Sequence, residues 1–238
     1  MNNGIFIGQD GLKNFLDPHN HPDIPLVELP AQLNPYYEYG VRIYAKLMNY
    51  LPLGNVKSVP AFGLLQSKGD GSHKKLVEAS SGNTVFSLGI MSQYMNYNSV
   101  TALVSREVSK GKLKLLRLAN VIVEVVDEPI CPDPGNPTGA IWQAKKRHNL
   151  NDEINLGQYD NMANPGSHYD YTGPQIFRQL SGKVDVFAAG LGTTGTLVGV
   201  GSYLRGQNER IHIIGVTRMP NNSVPGVRTR NLLKEVQL

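Results

Sequence analysis

VDVFAAGLGTTGTLVGVGSYL, residues 184–204, is the stretch on which the fold turns. It joins an apolar strand-like run to a helix-like run and contains G-x-G-x-x-G at Gly190, Gly192 and Gly195, in the strand–turn–helix context that a dinucleotide site needs. Such a site also needs an Asp or Glu about twenty residues on, at the end of the next strand, to take the ribose hydroxyls. That strand, IHIIGVTR, ends here in Thr217 and Arg218. The missing acid weakens an NAD reading, while Arg218 leaves an NADP-dependent Rossmann enzyme open. A more general property survives: glycines allow a sharp turn, N–H groups at a helix start point outward, and Thr193, Thr194 and Thr196 add hydroxyl donors. The stretch is a phosphate cradle.

Working outward, strand-like and helix-like runs alternate. IPLVELP and VRIYAKLMNY read as a strand pair around a turn-rich segment. A helix is expected over 58–66, a strand at KKLVEAS, a helix at GNTVFSLGIMSQYMNYN and a strand at SVTALVS. EVSKGKLKLLRLAN has helical spacing, VIVEVV reads as a buried strand, and helices are expected over 141–147 and 171–180. This order is that of parallel α/β sheets, whose ligands sit at the carboxyl ends of the strands.

With 238 residues, 40% of them apolar, the chain is long enough for one large or two small cored domains. The net charge of +4 is spread out, and its densest run, KGKLKLLR, reads as a solvated helix face rather than a nucleic-acid patch. Cys131 is the only cysteine, so no internal disulfide can form, and its proline-flanked thiol reads as unreactive. No stretch has the length of a membrane span, and the first residues lack the basic start and apolar run of a secretory leader, so a cytoplasmic location is expected. His19 and His21 have no third strong ligand nearby and read as solvent-exposed rather than metal-bound.

Three loops at strand ends carry the chemistry: LPLGNVKSVPA with Lys57, EASSGNTVFSL with Ser80, Ser81, Gly82, Asn83 and Thr84, and the phosphate cradle. A lysine, a hydroxyl-rich asparagine loop and a phosphate cradle together suggest a phosphorylated aldehyde held as a Schiff base, which pyridoxal 5′-phosphate satisfies. Taken singly, each loop has an ordinary reading: a surface lysine, a turn with an N-cap, and threonines capping the next helix.

In order and wording these loops resemble the fold type II pyridoxal-phosphate enzymes, and among them the cysteine synthase and cystathionine β-synthase family. IYAKLMNYLPLGNVKS is similar to that family's lysine segment, and EASSGNTVFSLG to its asparagine loop. GQYDNMANPGSHYDYTGPQIF resembles its glutamine and T-G-P-E-I-W stretch, and AAGLGTTGTLVGVGSYLR its phosphate loop, nearest the cysteine synthase B branch. The resemblance implies a tryptophan synthase β-like α/β fold of two three-layer αβα domains with mainly parallel sheets. Residues 1–48 and 156–238 would form a large phosphate-binding domain, C-terminally incomplete against the family, and residues 49–155 a smaller mobile one. Lys57 would hold the cofactor and act as the base. Asn83 would bond the ring oxygen. Ser80, Ser81, Gly82, Thr84 and Gln158 would take the substrate carboxylate, and Gly192, Thr193, Thr194, Gly195 and Thr196 the 5′-phosphate.

The implied reaction is β-replacement on an O-activated serine through an aminoacrylate, with sulfide or another nucleophile attacking, in a homodimer without nucleic-acid or membrane partners. A catalytically silent relative that keeps the fold for binding another protein is the second reading. This chain also departs from the family's pattern. Ser58 and Val59 replace an acidic and a basic residue after the lysine, LPLGNV replaces an N-P-x-G-S type of run, and Val85 replaces a glycine, which would project a branched side chain toward the substrate. The family's later strand, whose hydroxyl meets the pyridine nitrogen, lies beyond the resemblance. The strands it would cover are expected to expose apolar surface.

Overall fold

The computed structural model describes residues 4–69, 74–80, 82–128, 133, 135–220, 222, 224 and 226–233; Ser81 and Cys131 lie outside them. After a short helix α1 (Gly11–Leu16), strands β1 (Leu26–Glu28) and β2 (Tyr44–Lys46) pair antiparallel, as the turn-rich segment between them predicts. Helix α2 (Ser58–Gln66), strand β3 (Lys75–Ala79), helix α3 (Asn83–Met91), strand β4 (Ser99–Ser105), helix α4 (Lys110–Leu118), strand β5 (Val121–Val126), helix α5 (Ala140–Arg147) and strand β6 (Glu153–Ile154) then alternate. Their four strands make a parallel sheet in the order β5-β4-β3-β6. Helices α6 (Ala163–Asp170) and α7 (Thr172–Gln179) follow, and strand β7 (Val186–Gly190), helix α8 (Gly195–Gln207) and strand β8 (His212–Val216) close the order with a parallel pair.

The largest core joins α2, α3 and the four-stranded sheet through Leu64, Leu65, Leu76, Leu88 and Val100. Helix α2 has no polar face, because it packs against both α3 and α6. The basic run lies on α4, which turns Leu116 inward and leaves Lys114 and Arg117 exposed. VIVEVV is not a buried strand. As β5 it is the edge of its sheet, and Val125 is 63% exposed. The outer face of β7–β8 is also open, with Val186, Ile214 and Val216 exposed. No helix among the described residues is long and apolar enough to cross a membrane. His21 is not a solvent-exposed side chain either: it packs against Phe6 and Phe15, each at 5.3 Å between ring centroids, while His19 is exposed and meets Tyr171 edge-on.

Helix α6 was not foreseen from ANPGSHYD. Its Pro165 sits in the first turn, where no intrahelical N–H is required, and Asn161 Oδ1 accepts from Ala163 N at 2.9 Å to start it. This helix lies between α2 and α8. A side chain at Gly199 of α8 would overlap the Pro165 carbonyl, whereas one at Gly166 of α6 would meet open space. Gly199→Ala should therefore destabilise the chain by about 1–3 kcal/mol through overpacking. Gly166→Ala should stabilise it by roughly 0.5–1 kcal/mol through helix propensity. Denaturant unfolding of the two variants checks the pair, and equal effects would contradict this packing.

Candidate active site

Lys57 stands immediately before α2, on a turn that Asn55 builds. The Asn55 Oδ1 accepts from Lys57 N at 2.9 Å and its Nδ2 donates to Leu53 O at 2.8 Å, while Ser58 Oγ donates to Asn55 O at 2.9 Å. Gly54, at φ +66°, supplies the left-handed residue that this turn needs. Nothing in the sequence reading singled out Asn55, although Gly-Asn is a turn pair. Lys57 Nζ donates to Thr193 Oγ1 at 3.2 Å, across from the glycine-rich loop. Burial, and then the charge of Arg228, lowers the Lys57 amine to a pKa of about 8.

The glycine-rich loop runs from β7 into α8. Leu191 is held from both sides, its N–H by Val216 O at 2.8 Å and its carbonyl by Arg228 N at 2.7 Å. A side chain at Gly192 would overlap the Gly226 carbonyl and one at Gly195 the Asn164 side chain, so both positions require glycine. Thr194 has φ +68°. A β-branched residue there is strained, and such strain collects at functional loops. Thr196 Oγ1 lies 3.1 Å from His168 Nε2, and His168 Nδ1 lies 2.9 Å from Thr172 Oγ1. The His168 imidazole is fully buried, and burial together with the Lys57 charge pushes its pKa down to about 3, so it is neutral.

The asparagine loop leaves the carboxyl end of β3. Ser80 Oγ accepts from Gly82 N at 3.3 Å, and Asn83 is exposed at the first position of α3. Thr84 is buried and donates to Gln158 Oε1 at 2.7 Å, and Gln158 Nε2 donates to Ala79 O at 2.9 Å, leaving one amide proton for a ligand. Val85 does not project toward this cleft. It is fully buried in the core with Leu64 and Leu88, because its position on α3 faces α2 rather than the loop.

Asn164, on α6, links the Gln158 segment to the glycine-rich loop. Its Nδ2 donates to Gln158 O at 2.7 Å and to Thr193 Oγ1 at 2.9 Å. A single hydrogen-bonded chain thus runs Thr84–Gln158–Asn164–Thr193–Lys57. Below it the buried Glu78 carboxylate accepts from Ala79 N at 3.2 Å and Gly157 N at 3.1 Å, tying the Gln158 segment to β3; burial raises its pKa to about 7. Arg228 lies over the Tyr159 ring at 4.6 Å, and burial pushes the Tyr159 hydroxyl up to about 12. Asn164, His168, Glu78 and Arg228 were all missed. Each acts through partners far away in sequence, which local pattern does not reveal.

Comparison with known proteins agrees with this architecture. The sequence model of the family described as pyridoxal-phosphate dependent enzyme matches residues 20–236. Cysteine synthase B of Pseudomonas aeruginosa is 30% identical over 213 residues, covering 88% of this chain and 67% of that protein. Cystathionine beta-synthase of Saccharomyces cerevisiae is 32% identical over 209 residues, covering 82% of this chain and 39% of that protein. The structure of Entamoeba histolytica cysteine synthase superposes with a TM-score of 0.73 at 23% identity, covering 90% of this chain and 66% of that one. That of O-ureido-L-serine synthase gives 0.75 at 22%, covering 92% and 72%. The chain spans about two thirds of the length of the cysteine synthase B proteins it matches. With strands, loops and glycines in this arrangement and a family model that covers nearly its whole length, the chain belongs to the pyridoxal-phosphate-dependent enzymes, in the family of cysteine synthase and cystathionine β-synthase.

Proposed function

We propose that this chain binds pyridoxal 5′-phosphate and carries out β-replacement on an O-activated serine, with sulfide as the best-fitting nucleophile and the product cysteine. The observation that carries the reading is the meeting of Lys57 Nζ with Thr193 at the mouth of the glycine-rich loop. The residues fit the group. Thr193, Thr194 and Thr196 gather hydroxyls at a helix start, Gly192 and Gly195 pack against the Gly226 carbonyl and the Asn164 side chain so that the loop keeps one shape, and an amine near pKa 8 faces it.

When bound, pyridoxal phosphate supplies the electron sink that stabilises negative charge at the substrate α-carbon. Thr193, Thr194, Thr196 and the N–H groups opening α8 bind its phosphate. Lys57 Nζ would hold its aldehyde and would serve as the base for the substrate α-proton. Burial makes that amine a base near neutral pH. Gln158, Thr84, Ser80 and Gly82, with Ser81, would take the substrate carboxylate, and Asn83 would bond the ring oxygen. His168, neutral and locked between Thr172 and Thr196, orients the loop without competing for the phosphate. Residues 49–155 would form the mobile unit that closes and excludes water, residues 1–48 and 156–238 the unit that holds the phosphate, and two chains a homodimer.

Mixing the protein with pyridoxal phosphate, reducing with borohydride and mapping peptides should place the pyridoxyl group on Lys57. A label on another lysine would sink the assignment, and binding of NADPH without pyridoxal phosphate would sink the reading itself.

A further inference from the structure

Asn164 lies inside the stretch that resembles the family's glutamine segment, and the proposed reaction gives it no role. It is 2% exposed, on the face of α6 that meets the start of α8. Its amide can be oriented in only one way. Gln158 O, at 2.7 Å, is a carbonyl and only accepts, so Nδ2 must face it. The second proton of the same nitrogen goes to Thr193 Oγ1 at 2.9 Å. Thr193 Oγ1 also receives Lys57 Nζ at 3.2 Å. A hydroxyl has two acceptor lone pairs and one proton. While Lys57 is a free ammonium both lone pairs are engaged and the Thr193 proton must point away from Lys57 and Asn164; once Lys57 holds an aldehyde, Asn164 is the donor that still occupies one lone pair. The remaining atom, Asn164 Oδ1, is buried with no partner among the described residues and lies where a side chain at Gly195 would sit.

We propose that Asn164 is a positioning residue that makes the Thr193 hydroxyl a committed donor to an anion in the glycine-rich loop and links that loop to the Gln158 segment. The proposal rests on the phosphate-loop reading. Without the amide, the Thr193 hydroxyl regains the choice of donating to or accepting from its neighbours. A phosphate then has to orient it on binding. An anion that takes the Thr193 proton should in turn strengthen the bond from Asn164, because a hydroxyl that donates is a better acceptor.

The test is equilibrium binding of pyridoxal phosphate and of pyridoxal, which lacks the phosphate, to wild type, Asn164→Ala, Thr193→Val and the double variant. Asn164→Ala should weaken pyridoxal phosphate about tenfold and leave pyridoxal within about twofold, because the Thr193 bond to the charged group is made less well when its hydroxyl is no longer held by the amide. The double variant should be no weaker than Thr193→Val alone, since the amide acts through that hydroxyl. Equal losses for both ligands, or additive losses in the double variant, would overturn the proposal. A wild type that prefers pyridoxal phosphate while Asn164→Ala keeps the full preference overturns the proposal alone. A wild type with no preference overturns the phosphate-loop reading and the proposal with it. Should Asn164→Ala fail to fold, the wild type decides: the Asn164 side-chain amide resonances must shift when inorganic phosphate is added, and resonances that stay still overturn the proposal.

Discussion

Replacing Lys57 with alanine is expected to lower turnover of an O-activated serine by about 10²–10⁴-fold, the usual contribution of a positioned general base. The position explains why no neighbour takes over. Lys57 ends a turn fixed by Asn55, and its Nζ is the amine that reaches Thr193. His168, also near the glycine-rich loop, is held neutral with both ring nitrogens engaged. Arginine should not restore the rate, because a guanidinium does not give up its proton in the working range. The wild-type rate should climb with pH toward a plateau as Lys57 loses its proton around pH 8, since burial and Arg228 both disfavour the charged amine. Removing the Arg228 charge should move that midpoint upward. Steady-state rates of the variants and a pH profile check this, and a Lys57→Ala protein within a few-fold of wild type would end the proposal that this lysine is the base.

The strands and the loops that follow them were legible because their information is local. An apolar run bounded by turn residues specifies β3 or β7 without reference to the rest of the chain, and glycines between β7 and α8 announce a tight approach of backbones. Burial was legible only where a strand has neighbours on both sides. VIVEVV has the composition of a central strand and lies at the edge, since strand order depends on how the chain crosses over. Val85 shows the same limit on a smaller scale. Its sequence position beside Asn83 and Thr84 places it at the loop, while the helical turn of α3 rotates it into the core. Helix α6 escaped notice because proline, glycine, serine and asparagine dominate it, and its stability comes from α2 and α8 rather than from propensity. The two side chains it contributes to the loop, Asn164 and His168, were hidden with it.

Glu78 carries the other large expected effect, on stability rather than rate. Its carboxylate is 1% exposed, and although the Ala79 and Gly157 N–H groups donate to it, burial dominates and raises its pKa from 4.5 to about 7. Between those two values the folded chain holds a proton that the unfolded chain has released. Stability must therefore fall as pH rises through this window, and the part due to Glu78 is fully present below about 4.5 and lost above about 7. At about 1.4 kcal/mol for each tenfold change in proton affinity, the displacement corresponds to about 3 kcal/mol, an upper bound because buried sites relax and admit water. Glu78→Gln should remove this slope and unfold with a nearly flat dependence on pH between 4.5 and 7, relative to the wild type under the same conditions. Its absolute stability sets a second constraint. At low pH the folded wild type carries a neutral carboxyl that, like the glutamine amide, offers one carbonyl oxygen to the neighbouring N–H groups, so the two proteins should be of similar stability there and the variant the more stable above pH 7. Denaturant unfolding across this range measures both curves. Parallel curves would mean that Glu78 stays ionised in the folded chain, and that the hydrogen bonds it accepts outweigh its burial.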